Sequence, residues 1–378
     1  APAAVRALGS WPRHEALLAA GRFHADSGPR HGATRPAGVR IESLAAAAAR
    51  TPDDVLALLA TIAQADTPAT AFVTQNTALF QDGLFVSVPA GVTVTDPVYV
   101  AHERGFVAGG SGALVPDRVL VDVGPGASLV LVEDLRGPLP LAEAADGDFV
   151  NAVTEIALSK GARCTVVRLV DRHQGHALHV GSTWVRAGEG SSFRALTFTL
   201  GGAFVRDDVH VLFAGPGAEA SLDGLFVVSG QETIDHHTTL DHAVPACTSR
   251  ELYKGVLAGS GRGVFNGAVI IRPDAQKSDS GQQNPNLMLS EDAIIHTKPE
   301  LQIRADDVKC AHGATVGQLD DDALFYLRAR GIGATDARAI LVRAFAREVV
   351  DRIGHAPLRA DVDAWVEARM ERLAREDA

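Results

Sequence analysis

Between Leu84 and about Val316 the chain is built from short runs of β-branched and apolar residues, each closed by Gly, Pro, Asp or Asn. LFVSVP, VYVAHE, RVLVDV, SLVLVED, CTVVRLVD, FRALTFTL, DVHVLFA, LFVVSG and GVFNGAVIIRP follow one another in this way, the pattern of strand, turn and strand again. A small glycine-bearing turn recurs just before a strand, as Gly124-Pro125-Gly126-Ala127, Lys160-Gly161-Ala162, Gly188-Glu189-Gly190-Ser191 and Gly215-Pro216-Gly217-Ala218. The interval is roughly 30 residues, a period that belongs to stacked or solenoid architectures. No helix of the roughly 10–15 residues needed for a crossover separates the runs, which disfavours a doubly wound sheet. A sandwich and a parallel β-helix both remain. The β-helix is favoured because its open ends need covers, and helical sequence flanks the strand region on both sides.

Those flanks divide the chain into an N-terminal helical region (1–83), a β-helix core (84–318) and a C-terminal helical domain (319–378). Residues 1–35 are rich in Ala, Gly, Pro, His and Arg without periodicity, and order is expected to be incomplete there. A helix is predicted from Thr51, with Thr51 as cap, Pro52 in the first turn and Asp53 and Asp54 at the positive end of the dipole. Val55, Leu56, Leu59 and Ile62 recur at helical spacing behind them. A second helix is predicted over 69–80, closed by Gln81-Asp82-Gly83. After Leu319 the helical pattern returns. Asp320, Asp321 and Asp322 precede an apolar run that Gly331 ends. The next helix is predicted to bury Ile340, Leu341, Ala344, Phe345, Val349 and Ile353. A last one, about 360–375, carries Val362, Trp365, Val366 and Met370 on its inner stripe.

Composition narrows the function. With 46% hydrophobic and 21% charged residues, the chain resembles an ordinary globular protein able to bury a core. A formal net charge of −11 argues against a nucleic-acid binder, which would show a basic stripe. Three cysteines, Cys164, Cys247 and Cys310, do not describe a disulfide framework and favour a reducing compartment. No run approaches the ~18–20 apolar residues of a membrane helix. The opening APAAVRALGSWPRHEALL lacks a charged stretch followed by a long apolar one. The expectation is a cytoplasmic protein with no membrane and no nucleic-acid partner.

From Leu240 to Ile332 the chain resembles the SufB/SufD family. The strings that carry the likeness are LDHAVPACTSRELYKGVLAGSGRGVFNGAVIIRPDAQKSDS and NLMLSEDAIIHTKPELQIRADDVKCAHGATVGQLDDDALFYLRARGI. A weaker likeness covers 72–100. The resemblance implies a mainly β protein, a right-handed parallel β-helix with α-helical N- and C-terminal regions. It implies a non-catalytic scaffold subunit that pairs with a SufB-like paralogue and a SufC-like ABC ATPase to build iron–sulfur clusters. No cofactor is then expected to be stably bound. An iron–sulfur cluster or iron would be held transiently with SufB, and reduced flavin in the complex belongs to the same expectation. Two departures place the chain on the SufD side. SufB-like sequences carry a cysteine within the segment matched by Gln283-Asn284-Pro285, where this chain has Asn284. They also carry a glutamate after the strand matched by Cys310-Ala311-His312-Gly313. Loss of the thiolate removes the best soft ligand. The Trp- and Arg-containing segment common near the family's N-terminus is faintly present as Trp11-Pro12-Arg13.

Among candidate site residues, Cys310 and His312 share one face of an extended strand with Val308. On the residues alone, a buried thiol packing as a small hydrophobe and a backbone-satisfied histidine are favoured over a metal pair. The resemblance implies a role for His312, as nascent cluster or iron ligand at the SufB contact; for Cys310, the other metal candidate, the packing role stays slightly ahead. The resemblance also places SufC docking on the C-terminal helices, with Leu324, Phe325, Tyr326, Arg328 and Arg330 as candidates. The segment Asp235–His242, with His236, His237 and His242, has the composition of a metal site. Alternation separates His236 and His242 from His237 and Asp241, so polar ladders are favoured, and His296 is treated likewise. Gly259-Ser260-Gly261-Arg262-Gly263 continues into a strand and not a helix, which rejects a dinucleotide fingerprint. No G-x-x-x-x-G-K-[S/T] loop occurs, so the chain is not expected to be the ATPase of its own complex. The acidic pairs Asp207-Asp208, Asp306-Asp307 and Asp320–Asp322 are explained by turns and helix caps. The rival function is a β-helical carbohydrate-active enzyme of the polysaccharide lyase type. A homodimer that replaces SufB is a third reading.

Overall fold

The computed structural model describes residues 8–24, 27–63, 69–103, 114–136, 149–172 and 178–376. The N-terminal region holds β1 (Arg13–Ala19), β2 (Arg22–Phe23), β3 (Gly28–Arg30), β4 (Arg40–Ser43), α1 (Leu44–Arg50), α2 (Pro52–Leu56) and α3 (Ala69–Leu79). Sixteen strands follow, beginning with β5 (Leu84–Val88), β6 (Val98–Glu103), β7 (Leu114–Val123), β8 (Ser128–Arg136), β9 (Phe149–Leu158), β10 (Arg163–Arg172), β11 (Leu178–Ala187) and β12 (Ser192–Gly202). The rest are β13 (Phe204–Phe213), β14 (Glu219–Val228), β15 (Thr233–His242), β16 (Thr248–Leu257), β17 (Arg262–Ile271), β18 (Asp279–Met288), β19 (Ile294–Ile303) and β20 (Lys309–Gly317). Three helices close the chain: α4 (Asp321–Arg328), α5 (Ala334–Val350) and α6 (Ala356–Glu376).

Successive strands alternate between two parallel sheets. One runs β1-β6-β8-β10-β12-β14-β16-β18-β20, the other from β5 through the odd strands to β19. Ser192, Glu219, Thr248, Asp279 and Lys309 stand side by side in successive strands, so one coil takes roughly 30 residues. The fold is the expected parallel β-helix. The repeated glycine turns are its corner. Gly126, Gly161, Gly190 and Gly217 have φ of 64°, 66°, 59° and 70°, a left-handed conformation that costs other residues. Each amide donates to the next coil's turn, Gly126 N to Lys160 O at 2.9 Å and Gly161 N to Glu189 O at 2.8 Å. Ala246 (φ 60°) and Lys277 (φ 62°) occupy this corner in the next two coils.

Alternate side chains point inward, where Val121, Val166, Phe193, Val211, Leu222, Leu240 and Phe265 form the core. The helices cover the sides of the rod, not its ends as expected. α5 and α6 lay Val342, Ala346, Val349, Val362, Val366 and Met370 over the outer face of the first sheet, on Leu196, Phe198, Leu225, Leu252 and Val256. α1 and the turns after α2 cover Phe85, Leu120 and Ala157 on the second sheet. The inner face of α5 therefore includes Val342, Ala346 and Val350, while Ile340 and Ala344 are exposed. A helix follows its neighbours' geometry within its apolar stripe, so the stripe alone left the packing angle free.

The first 83 residues are not helical throughout. β1 joins the first sheet in parallel to β6, carrying Trp11 and Arg13 into burial, and β4 closes the second sheet antiparallel to β5. The first helix among the described residues is α1, an alanine run of high helix propensity capped by Ser43, whose side chain accepts from Ala46 N. The helix predicted from Thr51 stops at Leu56, after one turn with Pro52 at its start. At the other end α4 is capped as predicted by Asp320, which accepts from Asp322 N and Ala323 N. Asp207 and Asp208 are neither turn nor cap; they lie in mid-strand in β13, buried.

Candidate functional site

The N-terminal end of the rod is closed by β1 to β4, and among the described residues no strand closes the opposite end. β19 and β20 are the last strands of their sheets, and β20 is exposed along nearly all its length. Edge strands offer unpaired backbone donors and acceptors to another chain. Ile294, Ile303 and Val316 are exposed there at 40%, 42% and 53%.

His312 and Cys310 lie on β20, and the register fixes where they face. Cys310 stands beside Ser280, His312 beside Gln282 and Ala314 beside Asn284. Ser280, Gln282 and Asn284 are all buried, so they are the inward set of β18, and in-register neighbours in a parallel sheet share a face. Both candidates therefore face the axis of the rod. His312 is exposed because no further coil covers it, and Cys310 is half-buried. Burial pushes the Cys310 thiol upward, which keeps it protonated and a poor ligand until something draws the proton away. An imidazole and a thiol two residues apart suit iron chemically. They do not complete a site: among the described residues no group of three or more His, Cys, Asp or Glu side chains is placed to hold a metal ion.

Two polar columns lead up to this pair. Beneath His312 lies Gln282, whose Nε2 donates to Glu251 Oε2 at 2.6 Å; Glu251 in turn stands on Leu222. Burial pushes Glu251 up to about 7. Beneath Cys310, Ser280 Oγ accepts from Ser249 Oγ at 2.8 Å, and Ser249 Oγ lies 2.9 Å from His242 Nε2. Gln282 and Glu251 were missed in the sequence. The run SDSGQQNPN is polar in both phases, so only counting whole coils back from a known inward residue would have found them.

Asn284, where a cysteine would mark the paralogue, is also inward. Its Nδ2 donates to Tyr253 O at 2.8 Å and its Oδ1 accepts from Asn286 Nδ2 at 2.8 Å, an arrangement with no soft ligand. His236 and His242 face inward and His237 outward, as alternation predicted. Burial pushes His236 down to about 3. His237 pairs with Asp235 at 2.8 Å, and His296 lies 3.4 Å from Arg262 Nη1. Gly259, at φ +57°, makes a corner before β17, as expected of a turn. Deeper in the rod Arg168 lies between Glu133 at 3.5 Å and Asp207 at 2.9 Å. Burial opposes ionisation of Glu133, yet Arg168 and His102 hold it at about 2.

The second candidate surface begins three residues beyond β20. α4 buries none of its residues: Phe325 is 74% exposed, Tyr326 56%, and Leu324 half-buried. The Arg330 guanidinium lies 3.7 Å over the Tyr326 ring. A cleft of about 520 Å³ is lined by Phe325, Arg328, Ala329, Gly331 and Ile332 among others. No helix among the described residues is long and apolar enough to cross a membrane.

Two family models match this chain. One, described as "SUF system FeS cluster assembly, SufBD core domain", covers residues 106–345. The other, "SufBD protein N-terminal region", covers residues 11–100. A Synechocystis iron-sulfur cluster assembly SufBD family protein is 32% identical over 79% of this chain and 66% of its own. The chloroplastic protein ABCI7 of Arabidopsis thaliana is 33% identical over 74% of this chain and 58% of its own. The iron-sulfur cluster assembly protein SufD of Escherichia coli is 31% identical over 79% of this chain and 69% of its own. The chain thus spans just under two thirds of the first of these relatives and less of the second. A polysaccharide lyase is not favoured by these matches.

Proposed function

Because the chain belongs to the SufBD family of iron–sulfur cluster assembly proteins, we propose that it is the SufD-type scaffold subunit of such an assembly, itself without catalytic activity. The observation that carries this reading is the asymmetry of the rod: one end closed by β1 to β4, the other open and bearing His312 on its inner face. A SufB-like paralogue with the same coil would meet β19 and β20 edge to edge, main-chain hydrogen bonds supplying affinity. The inward faces of the two rods would then be continuous, and His312 would lie on the shared axis. There it would supply one borderline nitrogen ligand to iron or a nascent cluster, with the rest of the coordination shell coming from the paralogue. Iron and cluster are cargo, held in transit.

The exposed aromatic pair on α4 would dock the ABC-type ATPase. Phe325 and Tyr326, flanked by Arg328 and Arg330, have the composition of an interface core, aromatic with arginine at the rim. The link from Gly317 at the end of β20 to Asp321 at the start of α4 is short. A pull on α4 would therefore reach the strand that carries His312.

Co-expression with a SufB-like and a SufC-like subunit tests the reading. A ternary complex is expected, with Phe325→Ala/Tyr326→Ala losing only the ATPase. His312→Ala should assemble normally but form clusters poorly. Failure to bind either partner, or a stable homodimer that excludes the paralogue, would overturn the proposal. Unchanged cluster formation by His312→Ala would remove the ligand role alone.

A further inference from the structure

Gln282 is held on two sides. Its Nε2 donates to Glu251 Oε2 at 2.6 Å. The same nitrogen lies against the backbone of Gly267 on β17, where an added Cβ would come within 2.1 Å of it. The carboxylate fixes which end of the amide faces it, and the bare Cα gives that end its room. Oε1 is consequently left over, buried and without a hydrogen-bond partner among the described residues. A buried acceptor is rarely left unsatisfied, and its cost draws a donor from any side chain within reach. The next inward side chain along the column is His312, about 4.8 Å away at the backbone and free to rotate at the exposed end.

We propose that Glu251 and Gln282 are positioning residues for His312: Glu251 and Gly267 hold the Gln282 amide, and Gln282 Oε1 accepts the ring N–H of His312. A neutral imidazole has one donor and one acceptor nitrogen. Engaging the donor inside the rod sets a single tautomer and turns the other nitrogen, with its lone pair, toward whatever meets the open end. Histidines that bind metals generally make such a contact through the non-ligating nitrogen. What His312 then does rests on the reading above, whereas its orientation is a property of this chain by itself.

The test uses the full chain labelled with ¹⁵N-histidine, read by NMR at a pH where the ring is neutral, with the His312 signal identified by its loss in His312→Ala. One tautomer should exceed the other by about fivefold or more relative to exposed histidines such as His31, the gain expected of one hydrogen bond. Gln282→Met should abolish that bias while the remaining histidine signals keep their dispersion. Glu251→Gln, which still offers an acceptor to Nε2, should keep it, and Glu251→Met should lose it. Gly267→Ala, which leaves both polar side chains in place and crowds the amide, should weaken it. An unbiased His312 in the wild type, or a bias that survives Gln282→Met and Glu251→Met alike, overturns the proposal. Partner binding is scored separately, so a biased His312 in a chain that binds no partner supports this relay and counts only against the assembly role.

Discussion

Trp11 donates its indole N–H to Asp361 Oδ2 at 2.8 Å, and Gly9 N donates to the same oxygen at 2.8 Å, so the start of the described chain is fastened to α6. Trp11 is buried, its ring 5.0 Å from that of His355, with the Arg13 guanidinium between the rings of Trp11 and Tyr99 at 5.0 and 5.2 Å. Trp11-Pro12-Arg13, faint as a motif, is thus a clasp between the two ends of the sequence. Its contacts lie along the side of the rod, away from His312.

Truncating the clasp should cost stability and spare the site. Trp11→Ala removes a buried aromatic and leaves a cavity, a loss of about 3 kcal/mol or more. Asp361→Asn should cost about 1–2 kcal/mol, since the indole keeps an acceptor but loses its charge. Urea unfolding of each variant measures this, and a Trp11→Ala midpoint equal to the wild type would contradict the burial.

The C-terminal helices divide into an anchored part and a free one. Lys254 on β16 reaches Phe345 O at 3.0 Å and pairs with Glu348 on α5, while Arg352 pairs with Asp223 on β14. Arg369 on α6 is buried, donating to Leu200 O at 2.9 Å and Ser229 Oγ at 2.7 Å. Among the described residues α4 has no comparable hold. Arg369→Met should therefore destabilise by about 3 kcal/mol, because the buried Leu200 carbonyl loses this donor and Glu232 this cation. Phe325→Ala and Tyr326→Ala should stay within about 0.5 kcal/mol of the wild type, as exposed substitutions do. A thermal melt of the three variants distinguishes the two classes. A large loss at Phe325 would mean that α4 is structural.

The corner turns allow a prediction in the stabilising direction. Ala246 and Lys277 hold the left-handed conformation that glycine occupies in the earlier coils, from Gly91 to Gly217. A left-handed residue with a Cβ costs roughly 1–2 kcal/mol, partly offset by the greater unfolded-state entropy of glycine. Ala246→Gly and Lys277→Gly should each gain about 0.5 kcal/mol, and Gly217→Ala, where no atom lies within 4 Å of the added methyl, should lose about 1 kcal/mol from conformation alone. Guanidinium midpoints decide the sign.

The same comparison shows what a sequence can carry. Strand runs, glycine corners, the Asp320 cap and the opposed facing of His236 and His237 are local patterns, each settled within one strand or turn, and they were legible. Residues whose meaning lies a coil away were not. Asp207 looked like half of a turn signal because its partner Arg168 belongs to the opposite sheet. β1 showed no period of its own because its order comes from lying beside Val98–Glu103. His312 was found by resemblance, whereas the Gln282 and Glu251 column behind it depends on register, which only the stacked coils define.

Two interior histidines should move stability in opposite directions with pH. Burial lowers the His102 ring's affinity for protons, but Asp117 at 3.0 Å and Glu133 at 3.7 Å overcome this and raise it from 6.5 to about 9. The folded state then binds more protons than the unfolded one between those values, so the contribution is complete below pH 6.5 and is lost as pH rises through about 9. At ~1.36 kcal/mol per unit it amounts to about 3 kcal/mol at most. His236 is the reverse case. Packed against Phe226 and Tyr253, at 5.5 and 5.3 Å between rings, it is pushed down to about 3 by burial. The folded state binds fewer protons across that window, so stability falls as pH drops from 6.5 toward 3. Urea midpoints for His102→Gln and His236→Phe from pH 4 to pH 10 separate the two. The deficit of His102→Gln relative to wild type should shrink above pH 9, where the native pair has discharged. His236→Phe should lose part of the acid-side slope and leave the alkaline side unchanged. Parallel wild-type and His102→Gln curves across the alkaline range would mean that the buried imidazole stays neutral beside its two carboxylates.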